Sequence, residues 1–336
     1  MGTSNLNSKN AQLPSLHILA VIALLAASIL GLLWSAGRFV SGAANIAAAF
    51  GISSLVIGLT LVSFGTSAPE ILVSATSALK GVSELAVGNA LGSNLANTGM
   101  VLAVTALVVA IPISRSIFRR ELAVVIAVTA AAGLVLYDGY LGRWECLALV
   151  ALVPVFLFII SRTGEAAETI AAVVEENDAE NFNLPKSWLV LILGLVGMIG
   201  FSDLLVRSAV ETASRAGVSE LIIGATVVAV GTSLPELAAS LTSALKGKTD
   251  IALGNVLGSN IFNLLLVLPI AGIIHPTVIE GAAFGRDFGV LMLMTTLLAL
   301  ICFVGIWRHK EKFQIGRRTG VALLFIYILY YYMLFG

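Results

Sequence analysis

The chain has 336 residues, of which 58% are hydrophobic and only 11% are charged, and its formal net charge is zero. Soluble domains carry charges on about a quarter of their residues, so this composition excludes a soluble domain. Apolar runs of roughly 20 residues, the length of a membrane-spanning helix, recur along the whole chain. We therefore predict an all-α polytopic membrane protein.

The apolar runs, taken in chain order, predict ten transmembrane helices. Residues 1–15 are polar, and the run that follows is too long for the core of a signal peptide, so we expect it to be retained as the first span. The two cysteines fall within apolar runs and are expected to be packed thiols. The predicted spans are 16–37, 53–79, 85–109, 119–137, 144–161, 187–210, 219–245, 251–274, 287–306 and 318–335.

The longest hydrophilic connector lies at the middle of the chain and contains six acidic residues. We interpret residues 162–186 as a solvated linker between two five-helix repeats, 1–161 and 187–336. A regulatory role for the acidic segment is the alternative.

Lys and Arg are distributed unequally over the predicted loops. If the amino terminus lies outside, thirteen of the 19 basic residues are on the inner side of the membrane and six are on the outer side. The positive-inside rule therefore predicts that both termini lie outside.

A gap-free internal repeat organises the chain. Residues 51–102 align with 217–268, and 29 of these 52 positions are identical. Five spans separate each copy from its equivalent, and because five is odd we expect the copies to cross the membrane in opposite directions. Inverted repeats of this kind place the substrate site of a transporter at the interface between the repeats.

Each copy carries a glutamate inside an apolar span. Glu70 ends the motif Gly-Thr-Ser-Ala-Pro-Glu, and Glu236 ends Gly-Thr-Ser-Leu-Pro-Glu. A charged residue in a membrane span costs at least ~2.5 kcal/mol on insertion scales, and no basic residue lies in the core of any predicted span. The adjacent Gly and Pro break the helix and free backbone carbonyls for an ion. We interpret the two glutamates as the halves of one cation site.

Neighbouring polar side chains complete an all-oxygen set. Ser93 and Asn97 are four residues apart and share one face of a helix, and Ser259 and Asn263 repeat this spacing. Carboxylates, amides and hydroxyls without thiolate or imidazole favour hard cations such as Ca²⁺ and Na⁺. Two carboxylates balance one Ca²⁺, or two Na⁺ with a third held by neutral oxygens. A site that can be filled either way, but not both ways at once, is the physical basis of exchange.

Other groups in the repeats have structural explanations. The Gly-x-x-x-Gly pairs at 88/92 and 254/258 are typical of helix packing. Asp203 aligns with Gly37, so it has no acidic counterpart, and we expect it at a helix end or facing a loop. Glu84 and Asp250 align with each other and precede spans, where an acid favours the helix amino terminus. Four amides are open to either a ligand or a helix-fastening role: Asn89, Asn94, Asn255 and Asn260.

The doubled Gly-Thr-Ser-x-Pro-Glu, each copy followed by Gly-Asn-x-x-Gly-Ser-Asn-x-x-Asn, resembles the α-repeats of the calcium/cation antiporter superfamily, specifically its sodium/calcium exchanger type. The two motifs span 58–97 and 224–263. The Arg-Arg-Glu at 119–121 and the Leu-Tyr-Asp-Gly at 136–139 are similar to the bacterial inner-membrane YrbG-like branch. The resemblance implies ten helices with outside termini. It also implies that the second and seventh helices are broken at the site, while the first and sixth slide as a gate.

The resemblance also implies the ligands of the ions. The two glutamates would be shared by Ca²⁺ and Na⁺, and the others would contribute backbone carbonyls, hydroxyls and amides. Asn at both 97 and 263 is similar to the potassium-independent pattern, so we expect no K⁺ requirement. The full implied set is Glu70, Glu236, Thr66, Thr232, Ser63, Ala229, Ser93, Ser259, Asn97 and Asn263.

We therefore expect a secondary antiporter that exchanges Na⁺ for Ca²⁺ by alternating access. It would not be an enzyme, would need no prosthetic group, and would have ions and the lipid bilayer, but no nucleic acid, as partners. A Ca²⁺/H⁺ antiporter that uses the same glutamates is the alternative. An intramembrane aspartyl protease is disfavoured because no Gly-x-Gly-Asp accompanies Tyr137-Asp138. A passive channel is disfavoured because it needs a continuous row of weak sites.

Overall fold

A computed structural model describes residues 15–81, 83–161, 183–215, 229–279, 284–309 and 313–335. This part of the chain is helical apart from four two-residue strands, as the composition predicts. Most of the connector 162–186 and the first part of the predicted span 219–245 lie outside the described residues.

The first half is a series of helices, several of them joined through π-helical segments. Short strands lie between the later ones. The elements are α1 (Ser15–Ala49), α2 (Ser54–Ile57), π1 (Gly58–Val62), α3 (Ser63–Thr66), α4 (Ala68–Leu79), α5 (Ser83–Ala96), π2 (Asn97–Leu102), α6 (Ala103–Val108), β1 (Ile111–Pro112), α7 (Arg115–Ile117), π3 (Phe118–Leu122), α8 (Ala123–Leu136), β2 (Tyr140–Leu141) and α9 (Arg143–Ser161).

The second half repeats much of this order. In the register of the internal repeat, helices α11, α12 and α13 begin and end at the equivalents of α3, α4 and α5, and β3 is the equivalent of β1. The elements are α10 (Leu184–Arg215), α11 (Ala229–Thr232), α12 (Leu234–Leu245), α13 (Thr249–Phe262), π4 (Asn263–Val267), α14 (Leu268–Ile274), β3 (Thr277–Val278), π5 (Phe284–Phe288), α15 (Gly289–His309), β4 (Gln314–Ile315) and α16 (Arg317–Phe335).

Six of the described helical stretches are long and apolar enough to cross a membrane, and a seventh qualifies if the two parts of one bent helix are counted together. The ten predicted spans coincide with described helices, except for the undescribed start of the seventh, but the number of crossings stays a prediction. The six stretches are Ala23–Ala49, Ser83–Val108, Arg143–Ser161, Leu184–Ser208, Thr249–Ile274 and Gly285–Arg308.

Helix α1 is longer than predicted, because it continues past Arg38 to Ala49. Arg38 had marked the end of the first span, but its guanidinium stacks over the Trp34 ring at 5.3 Å, and a long side chain of this kind can cover an apolar face while its charge reaches water. The chain turns only at Gly51, whose φ of 62° suits a residue without a Cβ.

Helices α1 and α10 form an antiparallel pair with very close backbones. A Cβ on Gly42 would lie 2.7 Å from the backbone nitrogen of Leu191, and a Cβ on Gly194 would lie 2.8 Å from the Cα of Phe39. The pair has a hydrophobic cluster with the adjoining faces of α2, π1, α12 and α13, separate from the larger cluster formed by the other helices. We infer that α1 and α10 act as one packed unit, the α1–α10 pair.

The two small antiparallel sheets mark opposite ends of the helix bundle. Strand β1 pairs with β4, and β2 pairs with β3. Segments π3 and α8 run between the two sheets over Phe118–Leu136, which at 1.5 Å per residue spans about 28 Å, close to the thickness of a bilayer core. We call these ends the β1 end and the β2 end.

Candidate cation site

Both glutamate motifs lie at helix breaks with nearly the same backbone. Ser67 separates α3 from α4 with φ −82° and ψ 4°, and Ser233 separates α11 from α12 with φ −89° and ψ 6°. At the first break the helix bends by 43°. A proline lies in the first turn after each break, where its missing N–H costs nothing. The glutamate follows the proline directly and lies in the same first turn of the new helix.

The two glutamates and two asparagines are fully buried and have unpaired oxygen atoms. Among the described residues, neither carboxylate oxygen of Glu70 and neither amide atom of Asn97 or Asn263 has a hydrogen-bond partner, and one oxygen of Glu236 is also unpaired. The charges of Glu70 and Glu236 lie close enough to interact. Leaving one polar group buried and unpaired costs about 1–3 kcal/mol, and more for a charge, so this cluster has the chemistry of a site that a cation completes.

Contacts between the two halves hold the cluster together. The Ser67 hydroxyl donates to Oε1 of Glu236 over 3.2 Å, although Ser67 belongs to the first repeat and Glu236 to the second. The Thr66 hydroxyl donates to Oδ1 of Asn255 over 3.0 Å and lies 3.5 Å from the hydroxyl of Ser259. Residues from both repeats therefore build a single site.

Asn89 and Asn255 fix the helices that carry the glutamates. The amide of Asn89 donates to the backbone carbonyl of Glu70 over 3.1 Å, and the amide of Asn255 donates to the carbonyl of Glu236 over 3.2 Å. Each amide also donates to a serine one turn further on in the same helix as its glutamate. These two asparagines are helix fasteners, the structural alternative that the sequence had left open.

Asn94 and Asn260 fasten the two repeats to each other. The amide of Asn94 donates to the carbonyl of Asn260 over 3.2 Å, and the amide of Asn260 donates to the hydroxyl of Thr98 over 3.0 Å. The close packing of the repeats also needs Gly254, since a Cβ there would lie 2.6 Å from the carbonyl oxygen of Leu55. This confirms the packing role of the second Gly-x-x-x-Gly pair.

The predicted ligands lie on the helix breaks and on the two helices beside them. Ala229 begins α11, and Thr232 is its last residue, half buried. Ser93 lies beside the Glu70 carboxylate. The remaining predicted residues are fully buried in or beside the same cluster: Ser63, Thr66, Ser259, Asn97, Asn263, Glu70 and Glu236.

The sequence placed Ser67 in the first glutamate motif, but the implied ligand set leaves it out. Its hydroxyl is the direct partner of a glutamate 169 residues away, and nothing in the repeated motif distinguishes Ser67 from Ser233. Among the described residues, no group of three or more His, Cys, Asp or Glu side chains could hold a metal ion.

Asp203 does not lie at a helix end, one of the two positions expected for it. This residue lies inside α10, away from both helix ends, and its carboxylate forms an exposed ion pair with Arg207 at 2.7 Å. The pair spans one turn of the helix, the spacing at which opposite charges meet. Glu84 and Asp250 do lie in the first turns of α5 and α13, and both cysteines are free and buried, as predicted.

The sequence that builds these helix breaks and buried carboxylates matches a known family. A family model described as "Sodium/calcium exchanger protein" matches residues 20–162 and 186–336. The chain belongs to this family. It is 44% identical over 308 residues to the putative antiporter CaxA of Alkalimonas amylolytica, covering 91% of this chain and 95% of that protein.

Two further relatives place the chain within the family. It is 38% identical to the inner membrane protein YrbG of Escherichia coli, covering 95% of this chain and 98% of that one. It is 28% identical to the sodium/calcium exchanger MaX1 of Methanosarcina acetivorans, covering 88% and 93%. The chain is therefore a member of the calcium/cation antiporter superfamily in its bacterial YrbG-like branch, as the motifs predicted.

Solved structures of the sodium-calcium exchanger NCX_Mj are similar in fold. One of them, soaked with zero Na⁺ and Ca²⁺, has a TM-score of 0.79 and 29% sequence identity, covering 94% of this chain and 99% of that one. The fold is that of an all-α membrane transporter, and two of the relatives above are named as a putative antiporter and as an exchanger.

Proposed function

We propose that this protein exchanges Na⁺ for Ca²⁺ across the cell's inner membrane by alternating access. The observation that carries the proposal is the cluster of unpaired, fully buried oxygens on Glu70, Glu236, Asn97 and Asn263. Two carboxylates and several neutral oxygens suit one Ca²⁺ or a group of Na⁺ ions. Membership of the exchanger family supports cation antiport in general.

The charge of the site explains why the two ions are coupled. The empty site has a formal charge of −2 in a low-dielectric interior, so a conformational change that carries it across is unfavourable. One Ca²⁺ or two Na⁺ neutralise it, and a third Na⁺ can be held by neutral oxygens. Because both fillings use the same carboxylates, one excludes the other and uncoupled slippage is suppressed.

The membrane arrangement that we propose is ten helices in two inverted five-helix repeats, 1–161 and 187–336, with both termini outside and a solvated connector between them. Helix bounds that recur at equivalent positions of the two repeats support it. An exchange of three Na⁺ for one Ca²⁺ moves one net charge, worth about 2.3 kcal/mol per 100 mV of membrane potential. We expect no K⁺ requirement, because amides occupy both positions 97 and 263.

The test is uptake of ⁴⁵Ca²⁺ into proteoliposomes, driven by an outward Na⁺ gradient with a protonophore present. We expect uptake that collapses when internal Na⁺ is replaced by choline and is unchanged when K⁺ is removed. Empty liposomes and liposomes with Glu236→Gln are the controls.

Two outcomes would contradict the proposal. Uptake that ignores Na⁺ but follows an imposed pH gradient, measured without the protonophore, would make the protein a Ca²⁺/H⁺ antiporter that uses the same glutamates. Ca²⁺ flux that continues without any counter-ion would indicate a passive pathway.

A further inference from the structure

Lys246 joins the α1–α10 pair to the helix that carries Glu236. Its ammonium group donates to the carbonyl oxygen of Gly37 over 2.6 Å and to the hydroxyl of Ser41 over 2.8 Å, both on α1. Lys246 follows the last residue of α12, and α1 packs along α12. This contact therefore ties the α1–α10 pair to the helix that begins at the cation site.

The internal repeat assigns this contact a counterpart. Its register, extended to α1 and α10, places Lys246 on Lys80, Gly37 on Asp203, and Ser41 on Arg207. Lys80 follows the last residue of α4 as Lys246 follows that of α12. Asp203 and Arg207 lie on α10, the other helix of the α1–α10 pair. The repeat thus supplies a second lysine and a second set of polar groups on the same moving unit.

The two lysines lie at opposite ends of the bundle. Helix α13 begins after Lys246 and leads through π4 and α14 to β3, so Lys246 is at the β1 end. The hydroxyl of Ser83, just beyond Lys80, donates to the carbonyl of His275, just before β3, over 2.9 Å, so Lys80 is at the β2 end. Phe201 packs on Gly31, so Asp203 lies about 12 Å from Gly37 along the antiparallel pair, towards the β2 end.

Only one of the two contacts is formed in this conformation. Within the described part of the chain, the side chain of Lys80 is exposed and has no hydrogen bond or ion pair, while Asp203 is bound to Arg207 instead. Helix α1 packs along α12, but the described residues of α10 do not pack along α4 in the same way. In the described residues, the α1–α10 pair therefore packs along α12 at the β1 end but does not pack along α4 at the β2 end.

We propose that Lys246 and Lys80 are alternating latches for the α1–α10 pair. In the present conformation Lys246 holds Gly37 and Ser41 and keeps the β1 end closed. In the opposite-facing conformation this contact breaks, and Lys80 binds Asp203 in place of Arg207 to close the β2 end. The inference rests on the proposed alternating access but not on which ions are exchanged.

The two latches differ in chemistry. Lys246 binds neutral oxygens, and burial together with the nearby charges of Lys248 and Arg38 lowers its pKa below the ordinary lysine value, so this contact is made against local repulsion. The Lys80 contact would join two opposite charges, an ammonium and a carboxylate, but Lys80 must compete with Arg207 for Asp203. Each latch therefore has an opposing factor that keeps it reversible.

The first experiment places a cysteine pair at each latch, Ser41→Cys with Lys246→Cys and Lys80→Cys with Asp203→Cys, in the full-length protein in proteoliposomes. A short bifunctional thiol reagent reports proximity by mass spectrometry of the linked peptides. The native cysteines are buried, and the protein without added cysteines is the control. When the ion conditions are changed among Na⁺, Ca²⁺ and neither, we expect the two cross-links to change by about threefold in opposite directions.

Two results would overturn the latches. One is a cross-link between positions 80 and 203 that never forms under any ion condition. The other is a protein with all four cysteines in which both links form in the same molecules. Flux separates this inference from the proposed function: reciprocal cross-links in a protein without Na⁺/Ca²⁺ exchange would contradict the function alone, and exchange without reciprocity would contradict the latches alone.

The second experiment exchanges the charges of the proposed pair. Lys80→Asp and Asp203→Lys should each slow exchange roughly two- to fivefold, the range expected for an exposed ion pair, and the double variant should recover most of the loss. The matched control combines Lys80→Asp with Glu84→Lys, which keeps the same net charge without rebuilding the pair, and should stay slow. A folded, inserted double variant no faster than the slower single variant would contradict the pairing.

Discussion

The two glutamate breaks have nearly the same sequence and backbone but different partners. Glu236 accepts a hydrogen bond from Ser67 of the other repeat, while neither carboxylate oxygen of Glu70 has a partner in the part of the chain that the structure describes. Helix packing differs between the repeats in the same way, because α1 packs along α12 whereas the described residues of α10 do not pack along α4. Two similar repeats that make different contacts are expected in one state of a two-state transport cycle. In the other state each repeat would make the contacts that its counterpart makes here.

The largest expected effect comes from removing either carboxylate. Glu70→Gln or Glu236→Gln takes away half of the charge that balances the ion, and losing one partner of a buried ion pair costs roughly 3–5 kcal/mol. We expect exchange to fall by at least about a hundredfold, measured as Na⁺-driven ⁴⁵Ca²⁺ uptake. Stabilisation of the purified protein by Ca²⁺ should disappear as well.

The matched control for this prediction is Glu121→Gln. Glu121 is also buried, with a free carboxylate oxygen, but lies in π3 outside the site. It should retain exchange. Normal transport by Glu236→Gln, or loss of transport in all three variants, would contradict the assignment.

The next prediction tests whether the α1–α10 pair is one packed unit. A Cβ on Gly194 would meet the backbone of Phe39, whereas a Cβ on Gly200 of the same helix meets none of the described atoms. Overpacking a tight contact costs about 1–3 kcal/mol, so Gly194→Ala should lower the melting temperature in detergent and Gly200→Ala should not. Equal melting temperatures for the two variants would mean that the close packing of α1 against α10 at Gly194 does not contribute to stability.

A smaller effect is expected from adding a charge to the site. Asn263→Asp makes the formal charge of the site more negative, from −2 to −3. The site should therefore bind Ca²⁺ more tightly and require an extra cation for neutrality. We expect the apparent Ca²⁺ affinity to change by about tenfold, equivalent to about 1.4 kcal/mol, with a new dependence on K⁺ or pH. Asn97→Asp is the matched variant in the other repeat. Unchanged selectivity in Asn263→Asp would mean that this residue does not touch the ion.

The smallest effect is expected from the serine hydroxyls, and it addresses the asymmetry itself. Ser67→Ala removes the hydrogen bond to Glu236, worth about 1 kcal/mol or roughly fivefold, and should weaken Ca²⁺ activation from one side of the membrane. Ser233→Ala should weaken activation from the other side, because Ser233 takes the equivalent role when the conformations exchange. Side-specific Ca²⁺ titrations of exchange in oriented vesicles measure this. Identical side dependence for both variants would contradict a symmetric exchange of roles.

The predicted spans and the helix breaks agree with the structure because both depend on local properties. Apolar length defines a span, and a proline next to a glutamate predicts a break whatever the rest of the fold does. The errors arose where neighbouring side chains decide. The first span was predicted to end before Arg38, but Arg38 stacks on Trp34 and the helix continues to Ala49. Asp203 was expected at a helix end, but Arg207 one turn away pairs with it inside α10.

By itself the sequence determined the fold class, the two glutamate motifs, the all-oxygen character of the site and the repeat that relates its halves. These follow from hydropathy, residue chemistry and spacing, which are all properties of the chain. Only the tertiary structure decided that Ser67 rather than Ser233 contacts a glutamate and that Lys246 rather than Lys80 binds the α1–α10 pair. Ser67 and Ser233 lie in the same Gly-Thr-Ser-x-Pro-Glu motif, so the motif cannot encode which of the two makes the contact; that choice belongs to the conformation.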